Sequence, residues 1–161
     1  AALIARDGSV DWLCLPDFSS SAIFGGILDR GAGGRFLVQP RDEFTVKRRY
    51  LEKATPVLET VFEAPHGAVR VIDVVPIIDG VATLQPMREI LRIIEGLSGE
   101  LVLNIHFDPR PDYGRARLRI KNHGTLMSFL KISLARDSCS MSRVMSSLAN
   151  DEMAGTNITL G

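Results

Sequence analysis

Five acidic residues stand where carboxylate chemistry could be built. Asp7 and Asp11 flank the first apparent turn, and Glu59, Asp73 and Asp112 lie within or at the ends of strand-like runs. Two carboxyls facing each other across a cleft, one of them with a raised pKa, are the equipment of acid–base hydrolysis. A plainer reading competes. Asp7 precedes a glycine and is a good turn former, while Asp73 and Asp112 have Arg70 and Arg115 nearby as ion-pair partners. Spacing along the chain does not by itself bring two carboxyls together, so the plainer reading stands.

The other reactive residue types give less. Trp12 is the single tryptophan; it can serve as a stacking platform for a sugar ring or as an apolar anchor in a core or an interdomain contact. Cys14 lies mid-strand without basic neighbours that would activate a thiol, and Cys139 has Arg136 and Arg143 near it but no motif. His66, His106 and His123 are scattered without ligand spacing, so no metal site is expected. Gly31-Ala32-Gly33-Gly34 lacks the lysine and following helix of a phosphate loop, and no cofactor is expected. The basic clusters Arg48-Arg49 and 110–119 read as solvated strand faces. Asn157-Ile158-Thr159 fits a glycosylation acceptor, a coincidence without a secretory signal.

A frame must position these residues, and the chain is rich in the punctuation of short strands. Eight prolines and fourteen glycines separate apolar runs of about four to eight residues. Residues 1–5 and 10–15 flank Asp7-Gly8, a pair able to supply the positive φ angles of a type I′ hairpin. In the second arm Val10, Trp12 and Cys14 share one face, and Leu13 and Leu15 make the other face apolar too, which implies burial on both sides. Further strands are expected over 34–38, 44–51, 57–63, 68–75, 89–95 (closed by Gly96), 100–107 and 118–121. Only Ser20–Leu28 has helical spacing. From 125 to 161 the composition shifts towards Met and Ser, without proline; Met127, Phe129, Ile132 and Leu134 suit strands, and Ser142–Ala149 suits a helical turn equally well. Strands joined by hairpin-length connections, without crossover helices, specify an all-β antiparallel sandwich.

The 161 residues fit one domain. Hydrophobic residues at 45% and charged residues at 24% place the chain among core-forming rather than disordered sequences. Lys+Arg and Asp+Glu are both 19, so the basic surplus that nucleic acid or an anionic membrane requires is missing. No apolar run reaches the roughly 18 residues of a membrane span, and no signal peptide is visible; a cytoplasmic location is the expectation. The chain opens at Ala1 inside a strand and stops abruptly after Thr156–Gly161, so it reads as incomplete at one or both ends.

The run from Arg6 to Pro16 (Arg6-Asp7-Gly8-Ser9-Val10-Asp11-Trp12-Leu13-Cys14-Leu15-Pro16) resembles the signature of the trehalase-like N-terminal domain of glycoside hydrolase family 15 proteins, the glucoamylases, trehalases and their relatives. The resemblance continues in order through Asp17-Phe18-Ser19-Ser20, Gly33-Gly34-Arg35-Phe36, Arg49-Tyr50-Leu51, residues 58–62 and 71–76, Arg92-Ile93-Ile94-Glu95-Gly96 and Asp112-Tyr113-Gly114-Arg115. It is firm over 1–115 and loose over 116–161.

The resemblance implies a β-supersandwich that precedes an (α/α)₆ barrel whose two glutamates hydrolyse an α-glucosidic bond with inversion. Nothing in 1–161 resembles that barrel, so the implied role is a single non-catalytic domain that packs against and supports it. No catalytic residue is expected in this chain. The segment that leaves the first hairpin, with Trp12, Pro16, Asp17 and Phe18, is the candidate rim of a cleft or interdomain contact, with an α-glucan or trehalose as possible neighbour. An independent carbohydrate-binding module using Trp12, Tyr50 or Tyr113 is one alternative, and a homo-oligomerisation module another.

Overall fold

The structure, a computed structural model, describes residues 1–15, 18–51, 55–75, 89–123, 126–132, 143–148 and 157–160, with only the backbone described at Glu89 and from 117 onward. In chain order the strands are β1 (Ala2–Ile4), β2 (Ser9–Cys14), β3 (Ala22–Phe24), β4 (Arg35–Pro40), β5 (Thr45–Tyr50), β6 (Val57–Ala64) and β7 (Gly67–Val74). They are followed by β8 (Glu89–Gly99), β9 (Leu103–Asp108), β10 (Arg117–His123), β11 (Leu126–Ile132), β12 (Arg143–Leu148) and β13 (Asn157–Leu160). Among the described residues there is no helix. One sheet has the order β1-β2-β4-β9-β13 with β3 also on β2, the other the order β12-β8-β7-β6-β5, and β10-β11 form a separate hairpin. Both sheets are antiparallel through their middles. The late strands β12 and β13 join as parallel outer strands.

The alternation along each strand builds the core. Leu103, Ile105 and Phe107 of β9, Phe36 and Val38 of β4, Val69 and Val71 of β7, and Ile90 and Ile94 of β8 are all buried in one cluster. Phe24, Phe36 and Phe107 close it at one end, with the Phe36 and Phe107 rings edge-on at 5.1 Å and Phe24 edge-on to Phe107 at 5.9 Å, the geometry that ring quadrupoles favour. β2 is buried along nearly its whole length, as its two apolar faces require.

Three local expectations need correction. The first hairpin forms, but not through a type I′ turn, which needs positive φ at both central residues. Only Gly8 has it, at φ 84. The Gly8 amide donates to Ala5 O at 3.2 Å and the Ala5 amide to Ser9 O at 2.8 Å, while the Asp7 carboxylate accepts from the Ser9 amide at 3.0 Å. Ser20–Leu28 is not helical: Ala22–Phe24 pairs with β2, and burial of Ile23 and Phe24 side by side outweighs a local periodicity too short to hold a helix. β8 does not stop at Gly96. It continues to Gly99, Gly96 lying opposite Val69 just past an irregularity in the ladder. The open choice at 142–149 resolves as strand β12.

A buried ion pair ties the two sheets together. Arg92 of β8 is fully buried and stands opposite Asp73 of β7 in register. Its Nε donates to Asp73 Oδ1 at 2.6 Å and one Nη to Oδ2 at 3.2 Å. The other Nη crosses to the facing sheet and donates to the carbonyls of Gly8, at 2.8 Å, and Phe36, at 2.9 Å. The guanidinium also lies 4.8 Å from the centre of the Phe36 ring, a cation–π geometry. Asp73 is therefore not the partner of Arg70, as its nearness in sequence had suggested. Residues three apart on a strand point to opposite faces, and Arg70 pairs on the outer face with Glu95 and Glu59.

That outer face carries a ladder of charges on β5 to β8. Arg49 Nε donates to the buried carboxylate of Glu59 at 2.6 Å, Arg70 reaches the same carboxylate at 3.4 Å, and Lys47 pairs with Glu63 at 2.7 Å. The hydrogen bond from Arg49, helped by Arg70 and opposed by burial, holds the Glu59 carboxyl below its ordinary 4.5. A folded-state value depressed below the unfolded one contributes stability that is present above pH 4.5 and lost as pH falls through the folded value. Glu59→Gln is thus expected to lower the thermal midpoint at pH 7, with the gap to the parent chain closing below pH 4. A calorimetric series from pH 3 to 7 checks this; a gap that is constant across the series contradicts it.

Candidate functional site

Antiparallel pairing of β2 with β3 and β4, and of β4 with β9, brings four strand ends together. The C-terminal ends of β2 and β9 and the N-terminal ends of β3 and β4 all lie at one end of the first sheet. Residues 18–21 and 109–116 adjoin that end, 25–34 joins the C-terminal end of β3 to the N-terminal end of β4, and the three form the candidate site.

The 25–34 segment is fixed by its own backbone. Gly25 N donates to Gly33 O at 2.7 Å, Gly33 N to Asp29 O at 2.8 Å, and Ile27 N to Asp11 O at 3.1 Å. The Asp29 carboxylate accepts the amides of Gly31, at 2.8 Å, and Ala32, at 3.0 Å, and these bonds, Ala32 first, hold it below the usual carboxylate range. Gly34 follows with φ 69 and no room for a side chain, since a Cβ there would run into the Asp108 carbonyl. The 109–116 segment is laced to β3: Arg110 N donates to Ile23 O at 2.9 Å and Asp112 N to Ala22 O at 3.2 Å. It then turns through three successive left-handed residues, Asp112 (φ 53), Tyr113 (φ 53) and Gly114 (φ 79). The turn closes by Gly114 N donating to Arg110 O at 3.2 Å and Arg115 N to Asp112 O at 3.1 Å.

Apolar groups of these segments face solvent. Phe18 is 77% exposed, Leu28 65%, Ile27 57% and Tyr113 54%. Single exposed apolar residues are unremarkable, but several on one strand end are the signature of a surface that meets something. Arg110, paired with Asp108 at 2.8 Å, and Arg115 give the Tyr113 side of the rim a charged border.

Of the residues singled out in the sequence, Phe18 lies on this rim, and Pro16 and Asp17, which precede it, fall outside the described residues. Trp12 is half-buried on β2 opposite Leu3, one strand away from β3. The carboxylates do not form a pair. Asp7 serves the first turn, Asp11 accepts the Ser9 hydroxyl, Glu59 and Asp73 are held by arginines on opposite faces of the second sheet, and Asp112 lies on the rim. Cys14 is buried in β2; Cys139 lies outside the described residues. Among the described residues no group of His, Cys, Asp and Glu is arranged to hold a metal ion, and no helix is long and apolar enough to cross a membrane. A second concavity of about 490 Å³ opens between β1 and the second sheet, lined by Leu3, Arg48, Tyr50, Leu58, Val75 and Ile90 among others.

The sequence offers Tyr113 only as a sugar platform in the binding-module alternative, and the loop 25–34 is absent from its candidate site. The Gly-rich run 31–34 is not a phosphate loop: Gly33 and Gly34 permit close backbone approach to Gly25 and Asp108. Left-handed residues other than glycine leave little trace in sequence, although Asp next to Gly-containing turns is a weak signal.

Comparison with known proteins fits this architecture. The family described as "Trehalase-like, N-terminal" matches residues 1–140. The protein named Trehalase from Thermoplasma volcanium is 34% identical over 139 residues, covering 83% of this chain and 22% of that protein. Trehalase 1 of Sulfolobus acidocaldarius is 30% identical over 158 residues, 98% of this chain and 25% of its own length. Trehalase of Mycolicibacterium smegmatis is 43% identical over 65 residues, 40% of this chain and 10% of its own. No solved structure matches. The chain spans a quarter or less of the length of these relatives. With two facing sheets, an ordered loop end and a family match across most of its length, this chain belongs to the trehalase-like N-terminal family.

Proposed function

We propose that the chain is the non-catalytic N-terminal sandwich of a trehalase-type glycoside hydrolase, docking through the 18–21, 25–34 and 109–116 end of its first sheet onto a helical catalytic barrel. The observation that carries this reading is the exposure of the apolar residues Phe18, Ile27 and Leu28, the last two on a loop fixed by backbone hydrogen bonds. A preordered apolar surface gives up little conformational freedom on association, so more of its burial energy appears as affinity. The stiff sandwich behind it supplies support rather than chemistry. The likeness to proteins named Trehalase supports the α-glucosidic bond of trehalose as the bond cleaved elsewhere in the protein, and the resemblance to family 15 enzymes suggests inversion of the anomeric centre. Neither a nucleic acid nor a membrane partner is part of this reading, and the cytoplasm suits it as the site of action.

The test is made in the full-length protein. Leu28→Asp and Phe18→Asp place a charge in the contact without touching the core, and each is expected to reduce trehalose hydrolysis about tenfold or more and to separate one unfolding transition into two. Calorimetry together with glucose release reads both effects. Full activity and a single unchanged transition in both variants would refute docking through this end. Proton NMR of the first-formed glucose anomer tests inversion separately.

A further inference from the structure

The turn at 112–114 costs more than docking alone requires. A left-handed tyrosine following a left-handed aspartate is a true outlier, since Cβ crowds the backbone at positive φ. Each such residue costs about 1–3 kcal/mol and persists only where the surroundings over-determine it. Here they do: Asp112 N is tied to β3, and the amides of Gly114, Arg115 and Ala116 are all bonded back to residues 110–112. The outcome is a tyrosine whose backbone is held at one fixed place, its ring half exposed and edging on Gly25 of the 25–34 loop, in a segment that also carries the exposed Arg115 and the Arg110 of the Asp108–Arg110 ion pair.

Apolar docking does not need this device. Burial of apolar surface is non-directional, and Phe18, Ile27 and Leu28 provide it without positive φ. Cores of protein interfaces are also depleted in charged groups, whereas Tyr113 shares its short segment with Arg110, Asp112 and Arg115. A half-exposed ring face on a rigid turn whose other side chains are guanidinium and carboxylate groups suits a ligand with an apolar face and a hydroxyl edge, which is the chemistry of a pyranose. We propose that Tyr113 contacts substrate in the full-length enzyme, stacking on one glucosyl unit of an α-linked diglucoside and setting its position at the cleft rim. This inference rests on the trehalase-type reading above and names a residue that the docking reading does not need.

The strain provides a test that a merely structural role would fail. In the full-length protein, Tyr113→Gly removes the ring and relieves the backbone, because glycine accepts φ 53 without penalty. Expected are a thermal midpoint equal to or above the parent's and a KM for trehalose raised about tenfold, with kcat held within about twofold. Tyr113→Phe keeps the stacking face, so its KM is expected within about threefold of the parent's. An unchanged KM in Tyr113→Gly would overturn this proposal and leave docking standing. A fall in the thermal midpoint, with separated unfolding transitions, would assign the ring to the protein contact instead and overturn it equally. A parent enzyme that cleaves neither trehalose nor maltose would overturn both the proposal and the reading beneath it.

Discussion

Arg92→Met is expected to destabilise the chain by about 3–5 kcal/mol, a large part of the roughly 5–15 kcal/mol available to a domain. The magnitude follows from what is left behind. Asp73, buried opposite Arg92, loses the only side-chain cation bonded to it among the described residues, and the Gly8 and Phe36 carbonyls lose the donor that joined them to the other sheet. Breaking a buried pair on one side costs far more than the pair is worth as a whole. The double variant Arg92→Met with Asp73→Leu is therefore expected to recover part of the loss by removing the stranded charge. It should not recover all of it, because the two carbonyls remain without the guanidinium. Urea denaturation of the parent, the single variants Arg92→Met and Asp73→Leu, and the double variant gives the double-mutant cycle. A single Arg92→Met change below about 1 kcal/mol would show that the sheets are held by apolar packing alone.

The pair also shows how far the sequence could be read. The strands were legible because their apolar residues alternate or run unbroken between Gly and Pro, and those signals depend on a few neighbouring residues. The Asp73–Arg92 contact was hidden because it depends on register between strands, and proximity in sequence pointed to Arg70 instead. A usable signal was present: Ile90, Arg92 and Ile94 share one parity, as do Val69, Val71 and Asp73, so each charge lies in line with core residues. Counting parity before distance would have placed both charges inside. The helical spacing at Ser20–Leu28 misled for the converse reason, since Ile23 and Phe24 are both buried by long-range pairing that no local window contains. At the candidate site, Phe18 was legible through the family resemblance. The left-handed turn at Asp112-Tyr113 was not, because its segment is held by hydrogen bonds that the Arg110 and Asp112 amides donate to the carbonyls of Ile23 and Ala22, which are distant in sequence.

Gly34→Ala should bring a loss of about 3 kcal/mol from a single methyl group, through two additive causes. Its φ of 69 lies in the left-handed region, and the added Cβ meets the Asp108 carbonyl and the Arg110 side chain. Arg110 can swing aside; the Asp108 carbonyl cannot, because Asp108 is held in the β4–β9 ladder opposite Arg35. Relief would have to come from the 109–116 segment or from the Gly25–Gly33 contact, so the same methyl should disturb the candidate site as well as the fold. Gly96→Ala is the matched control. Gly96 has no positive φ, and nothing lies within 4 Å of where its Cβ would be, so alanine there is expected to change stability by no more than about 0.5 kcal/mol, in the stabilising direction if at all. Chemical denaturation of the two variants separates the causes: equal losses would mean that alanine is penalised at any glycine of these strands. A large loss at Gly34 alone ties the cost to the close passage of β4 past β9, the passage from which both loops of the candidate site depart.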